Sequence, residues 1–223
     1  MGHAAVECIP ECGLPQGSPL SPTLFLIYIN DLLQELPTTG VSCQAFADDM
    51  LIWHRGNFCI GDTAPEISLA LATVDQWAEK WRMTFNPHKC EAICFAGPRI
   101  KFEKQFMVRL REGPIPTVGT LKYLGIWFDQ GLLWHKQVRE TTAGAKRLLW
   151  EMKKIVGERW GASPAVLLKL INQVVLRKLF FGAECWATVV RSERFLRSLD
   201  MVLGMGARMA FGLDRSVPLR QRW

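Results

Sequence analysis

The 223-residue sequence has no long apolar run: its longest, residues 24–29, falls far short of the roughly 18 residues a membrane-spanning helix requires. No transmembrane helix is expected. The start has neither a basic segment leading into an apolar stretch nor a Ser or Thr at position 6, where Val6 stands, so neither export nor myristoylation is expected. The seven cysteines are odd in number and scattered, and they read as reduced intracellular thiols, not as a disulfide framework. Cys8/Cys12 and Cys90/Cys94 have a spacing that can open a zinc site, but each lacks a second pair or a histidine at the usual offset. Gly204-x-Gly206 lacks a third glycine and a preceding strand, which excludes a dinucleotide fingerprint. With 49% hydrophobic and 22% charged residues, the composition also excludes a disordered tail or a collagen-like repeat.

What is present is unevenly distributed. Residues 1–111 carry nine Lys and Arg against twelve Asp and Glu, a net of −3, whereas residues 112–223 carry eighteen against nine, a net of +9. Such asymmetry suggests a polyanion held by the second half and chemistry in the first, although a solvated basic face fits the counts equally well.

The first strong local signal is Gly13-Leu14-Pro15-Gln16-Gly17-Ser18-Pro19-Leu20-Ser21-Pro22, a turn-rich stretch leading into an apolar segment. Ser21 is a candidate N-cap and Pro22 a candidate first helical residue, so a helix is expected from there to about Leu36. Its first two turns are apolar all round, which predicts burial. The loop then sits at the positive end of a buried helix, with Gly17 letting the backbone approach a ligand and Gln16 offering a donor and an acceptor. An ordinary Pro/Gly connector is the competing reading. Next, two short apolar strands flank Asp48-Asp49, predicting a β-hairpin with the acids at its tip. Successive side chains on a strand point to opposite faces, so adjacent acids converge only where the backbone turns. Converging carboxylates repel unless a cation lies between them. Mg²⁺ suits such a pair, because it needs few protein carboxylates and leaves its other positions to water and phosphates. Asp-Asp is also ordinary turn chemistry.

Apolar residues at alternating four- and three-residue steps, Ile67, Leu71, Val74, Ala78, Trp81 and Phe85, predict an amphipathic helix over 64–85, ended by Asn86-Pro87. Lys89 follows on the exit turn, and 92–96 reads as a strand. Residues 120–128 read as a strand containing Gly125, which marks a bulge or a close backbone contact. Beyond the Asp129-Gln130-Gly131 turn, helices are expected over about 136–156, 163–181 and 193–209. Lys136, Arg139, Lys146, Arg147, Lys153 and Lys154 lie on the outer face of the first. Trp127, Trp134, Trp150, Trp160 and Trp186 accompany them and suit either base stacking or core packing.

The order of these signals is specific. Gly-Leu-Pro-Gln-Gly-Ser-Pro-Leu-Ser-Pro, then Phe46-Ala47-Asp48-Asp49, then a Trp-bearing helix followed by Phe85-Asn86-x-x-Lys89, then Lys122-Tyr123-Leu124-Gly125, resembles the polymerase palm of reverse transcriptases, most closely the non-LTR (LINE-like) retrotransposon enzymes. Phe181-Gly182-Ala183-Glu184-Cys185-Trp186 is similar to the Tyr-Gly-Ala-Glu-x-Trp that follows the thumb in such elements. The resemblance implies an α+β fold: a partial palm over 1–128, with its Asp-Asp hairpin and packed helices on a small antiparallel sheet, then a helical thumb and basic region over 129–223. It implies RNA-directed DNA synthesis from dNTPs on an RNA template with a DNA primer, with Mg²⁺, or alternatively Mn²⁺, held by Asp48 and Asp49. By the same resemblance Pro15, Gln16, Gly17 and Phe46 line the substrate, Lys89 neutralises or protonates departing pyrophosphate, Tyr123, Leu124 and Gly125 form the primer grip, and the six basic residues named above hold the duplex. It suggests an intracellular site, the nucleus or else the cytoplasm, with the nucleus favoured.

In the family another aspartate, on a strand upstream of the Pro-Gln-Gly loop, joins the hairpin pair. Only twelve residues precede Gly13, Glu7 and Glu11 are too near the loop, and Asp31 lies about three turns along the helix. The expectation is therefore a palm remnant plus thumb, its missing segment absent or supplied in trans. A nucleic-acid-binding remnant without catalysis is the alternative.

Overall fold

The sequence around Ser21 does start a helix. The computed structural model describes residues 13–15, 17–55, 65–95, 107–154, 162–187 and 193–213. Its α1 spans Ser21–Glu35, with a proline in the first turn, and tightens into a 3₁₀ turn over Leu36–Thr39. Two antiparallel strands follow, β1 over Ser42–Phe46 and β2 over Asp49–Trp53, then α2 over Pro65–Lys80, a 3₁₀ turn over Pro87–Lys89, and the pair β3 (Val108–Leu110) and β4 (Gly113–Ile115). A third pair, β5 (Thr120–Tyr123) and β6 (Ile126–Asp129), precedes α3 over His135–Lys154. A helix then runs as α4 (Pro164–Leu170), a π segment over Ile171–Leu176, and α5 (Arg177–Leu179), followed by α6 (Ala183–Trp186) and α7 (Glu193–Phe211). The class is α+β, and the strands form three separate two-stranded ladders instead of one small sheet. Each ladder closes through a two-residue turn.

The chain packs as two compact units, Met1–Ala92 with Lys101–Thr117, and Ile93–Ile100 with Val118–Trp223. In the first, Ile29, Leu32 and Leu36 meet Leu71, Val74 and Trp77 of α2 and Val108, Leu110 and Ile115 of the β3–β4 pair. The Asp31 carboxylate accepts hydrogen bonds from Trp77 Nε1 at 2.7 Å and Trp81 Nε1 at 2.9 Å, so it ties α1 to α2. Tyr28 packs edge-on against both indoles. In the second unit, Leu149, Leu167, Ile171, Val175, Leu179 and Val202 form one apolar cluster, and Trp134, Val138 and Trp186 form another beneath β6. The unit holding β5 and β6 is thus the helical one.

Four sequence expectations are corrected. The first turns of α1 are not buried: Leu24 is 47% exposed and Ile27 68%. Only its later turns carry buried residues, Ile29 and Leu32, because an apolar turn is buried only where another element covers it. Helix α2 stops at Lys80, not at 85, because Arg82 takes a left-handed φ of 53° and Met83 N–H reaches back to the Ala78 carbonyl at 2.8 Å, a Schellman ending. In place of a strand over 92–96 there is a single bridge from Ala92 to Thr117; Ala96 lies outside the described residues. The run 120–128 is a hairpin, with Leu124 (φ 45°) and Gly125 (φ 85°) making a two-residue turn of the kind hairpin twist favours. No described helix is long and apolar enough to cross a membrane.

Candidate active site and nucleic-acid interface

Ser21 does not act as an N-cap: the cap position is Leu20, without a side-chain bond. Its hydroxyl instead donates to the Pro15 carbonyl at 2.6 Å, and Ser18 N–H reaches the same carbonyl at 3.4 Å. The loop is folded back onto the start of α1, with Pro15 and Gly17 exposed. Gly17 has φ 87° and open space where a Cβ would lie, so the backbone there is bare to a ligand. Gln16 lies outside the described residues.

The Asp-Asp hairpin forms as the residues dictate. Its register pairs Cys43 with Ile52 and Ala45 with Met50. Cys43, Met50 and Ile52 pack against the core of the first unit. The opposite face carries Phe46 directly across from Asp49, both exposed. Asp48 occupies the turn with Ala47, and Asp49 begins β2. Ala47 has φ 52°, an unfavourable conformation for an alanine, held at the tip between the strands and beside both acids. The two exposed carboxylates therefore stand at the one point where the chain turns, with an aromatic ring beside them. Hard oxygen donors of this kind fit Mg²⁺ or Mn²⁺. Among the described residues, no group of three His, Cys, Asp or Glu side chains gathers to complete a metal cage. Asp31, bound to two tryptophans, has a structural task, and although partial burial opposes its charge, the Trp77, Leu32 and Trp81 N–H donors hold its carboxyl below the ordinary range. Lys89 is exposed at the end of the 3₁₀ turn that Asn86 caps by accepting His88 N–H at 3.0 Å. Burial pushes the Cys43, Cys90 and Cys94 thiols up, which disfavours the reactive thiolate.

In the second unit, the Asp129 carboxylate catches the N–H groups of Leu133 (2.8 Å) and Trp134 (2.6 Å) and so turns the chain from β6 into α3. Arg139, Arg147, Lys153 and Lys154 are exposed on α3, and Lys146 is half-buried. They share the helix with Trp150, 54% exposed, whose ring lies 5.9 Å from Lys153 Nζ. Lys154 is paired with Glu151 at 2.8 Å and Arg139 with Glu140 at 3.7 Å. Lys136 is engaged within the unit: its Nζ donates to Thr120 Oγ1 at 3.1 Å and sits 3.5 Å above the Trp127 ring. Trp134 and Trp186 are core residues, and Trp160 lies outside the described residues. Tyr123 presents a buried hydroxyl with no hydrogen-bond partner among the described residues.

One residue escaped the sequence reading altogether. Gln137 is 1% exposed; its side-chain oxygen accepts Trp127 N–H at 2.9 Å and its nitrogen donates to the Phe181 carbonyl at 3.3 Å. The available signal was its place on the stripe Gln137, Thr141, Ala145, Leu149, Met152, the buried face of α3.

The family model described as "Reverse transcriptase (RNA-dependent DNA polymerase)" matches residues 2–128. The "Probable RNA-directed DNA polymerase from transposon X-element" of Drosophila melanogaster is 26% identical over 216 residues, 95% of this chain and 23% of that protein. The "RNA-directed DNA polymerase from mobile element jockey" of Drosophila funebris is 24% identical over 196 residues, 82% of this chain and 20% of that protein. The "Retrovirus-related Pol polyprotein from type-1 retrotransposable element R1 2" of Nasonia vitripennis is 26% identical over 187 residues, 81% of this chain and 45% of that protein. The chain thus spans a quarter or less of the first two relatives. No solved structure matches it.

Proposed function

Because the chain belongs to the reverse transcriptase (RNA-dependent DNA polymerase) family, in its non-LTR retrotransposon branch, we propose that it carries the hairpin carboxylates and the duplex-holding helices of an RNA-directed DNA polymerase. The observation that carries the reading is the pair Asp48 and Asp49, exposed where the β1–β2 ribbon turns, inside the segment the family model matches. In the reaction the primer 3′-hydroxyl oxygen bonds to the α-phosphorus of a dNTP, the bond to the β-phosphate breaks, and pyrophosphate leaves. Asp48 and Asp49 would hold Mg²⁺, or Mn²⁺ in its place. When bound, the cation lowers the pKa of the attacking hydroxyl and offsets the charge of the triphosphate. Pro15, Gln16 and Gly17 would face the nascent base pair, the Pro15 carbonyl being held by the Ser21 hydroxyl. Phe46 would offer its ring to the substrate beside Asp49. Lys89 would meet the leaving pyrophosphate, and Tyr123, Leu124 and Gly125 would bear on the primer strand.

Arg139, Lys146, Arg147, Lys153 and Lys154 would grip phosphates of the template–primer duplex, with Lys136 supporting the primer-grip hairpin through Trp127 and Thr120. The nucleus would be the site of action. Titrating a labelled RNA template–DNA primer at increasing KCl tests the duplex reading. Log affinity should fall linearly with log salt, and neutralising Arg147 or Lys153 should shallow the slope by about one unit each. A salt-insensitive association, or slopes unchanged in both variants, would contradict it.

A further inference from the structure

The Phe181–Trp186 segment and the β5–β6 hairpin are built around one another. Gly125, at the hairpin turn, has no room for a side chain: a Cβ there would lie 2.9 Å from Phe181 Cε1. A Cβ on Gly182 would lie 2.5 Å from Ile126 Cδ1. The Phe181 carbonyl between these contacts accepts two donors, Trp186 Nε1 at 3.1 Å and Gln137 Nε2 at 3.3 Å. The other end of the Gln137 amide takes Trp127 N–H at 2.9 Å. A single buried amide therefore joins the hairpin strand, helix α3 and the Phe181 turn. Its cost is high, because a buried amide is tolerated only when both ends are satisfied. An apolar residue would hold the same core position without that demand, so the amide's retention needs a reason besides packing.

We propose that Gln137 is a positioning residue for the Tyr123–Leu124–Gly125 turn, and that the Phe181–Trp186 segment is the socket in which the turn is seated. Leu124 is held at φ 45° and Gly125 at φ 85°, a turn whose side chains re-aim if the strand below it shifts. Gln137 does not touch the primer; it fixes the backbone that does. This rests on the primer-grip role assigned above, so its test separates the two.

Gln137→Leu, close in size and unable to hydrogen-bond, is compared with Val202→Ala, a cavity in the apolar cluster between α7 and its neighbours. Hydrogen exchange on the full chain gives the first readout: amides of 120–129 exchange at least tenfold faster in Gln137→Leu and remain as in the wild type in Val202→Ala. Template–primer affinity at fixed salt gives the second: a loss of five- to tenfold in Gln137→Leu, against less than twofold in Val202→Ala at a matched fall in Tm. Unchanged exchange over 120–129 in Gln137→Leu overturns the positioning role whether or not the chain binds nucleic acid. Faster exchange with unchanged affinity also overturns it, reducing Gln137 to a packing residue. A wild-type chain that does not bind template–primer overturns the primer-grip assignment instead, and exchange alone then decides whether Gln137 holds the turn.

Discussion

Replacing Gly182 with alanine probes the seat of the β5–β6 hairpin most sharply. The new Cβ would lie 2.5 Å from Ile126 Cδ1 and 2.9 Å from Ile126 Cγ1, whereas carbon atoms in good contact sit about 3.5–4.0 Å apart. Ile126 must therefore retreat by about 1 Å, against Trp134 and Trp186 of the same cluster. Overpacking of this size costs about 1–3 kcal/mol, and the left-handed φ of 66° adds about 1–2 kcal/mol for a residue with a Cβ. The expected loss is about 2–5 kcal/mol, and at about 2–4 °C per kcal/mol for a chain of this size, roughly 3 kcal/mol lowers Tm by about 6–12 °C. Urea unfolding followed by circular dichroism measures it, with Ile126→Val as partner in a double-mutant cycle. Valine lacks the offending Cδ1, so the double variant should recover about 1 kcal/mol of the combined loss. A Gly182→Ala cost below about 1 kcal/mol, or a coupling energy of zero, refutes the packing argument.

Two carboxyls should give the folded state opposite pH slopes. Asp31 is held below its ordinary range in spite of partial burial by N–H donors from Trp77, Leu32 and Trp81; its contribution is present above the ordinary carboxyl pKa near 3.9 and fades as pH falls through the lower folded value. Asp31→Asn should cost about 1 kcal/mol at pH 7, and less as the pH falls below about 4. Asp75 is shifted upward, first by burial and then by Glu112, against the Arg111 N–H it accepts at 2.9 Å. Stability should decline as pH rises through its raised folded value, and Asp75→Asn, which keeps an acceptor for that N–H, should abolish the slope in urea titrations run from pH 3 to 7. Tyr123→Phe removes a buried hydroxyl without a partner among the described residues, so thermal unfolding should show a neutral effect or a gain of about 1 kcal/mol; a loss beyond 1 kcal/mol would mean that the hydroxyl has a partner.

The motifs were legible because they are local. Pro22 in the first helical turn, the Asp48-Asp49 turn and the apolar spacing of α2 are each encoded within a few residues, and each formed its expected element. What the sequence hid depends on contacts between segments distant in the chain. Ser21 was visible as a hydroxyl at a helix start, but its choice of the Pro15 carbonyl over a cap depends on how the loop folds back. Arg82 ends α2 in a left-handed conformation that residue type does not announce. Gly125 signalled a close contact, and Phe181, far along the chain, supplies it. Gln137 reads as an ordinary helix-former until its two bonds to Trp127 and Phe181 are seen. The exposed apolar turns of α1 show that a hydrophobic pattern specifies what a helix can bury and not what is present to cover it.

Primer extension tests the central claim most directly. The full chain is given an RNA template, an annealed DNA primer and dNTPs, with and without Mg²⁺, beside Asp48→Ala/Asp49→Ala. The account predicts that any extension requires Mg²⁺ and disappears in the double variant, while template–primer affinity stays within about twofold because the exposed acids take no part in holding the duplex. Extension that survives loss of both aspartates, or a chain that fails to bind template–primer, would contradict it.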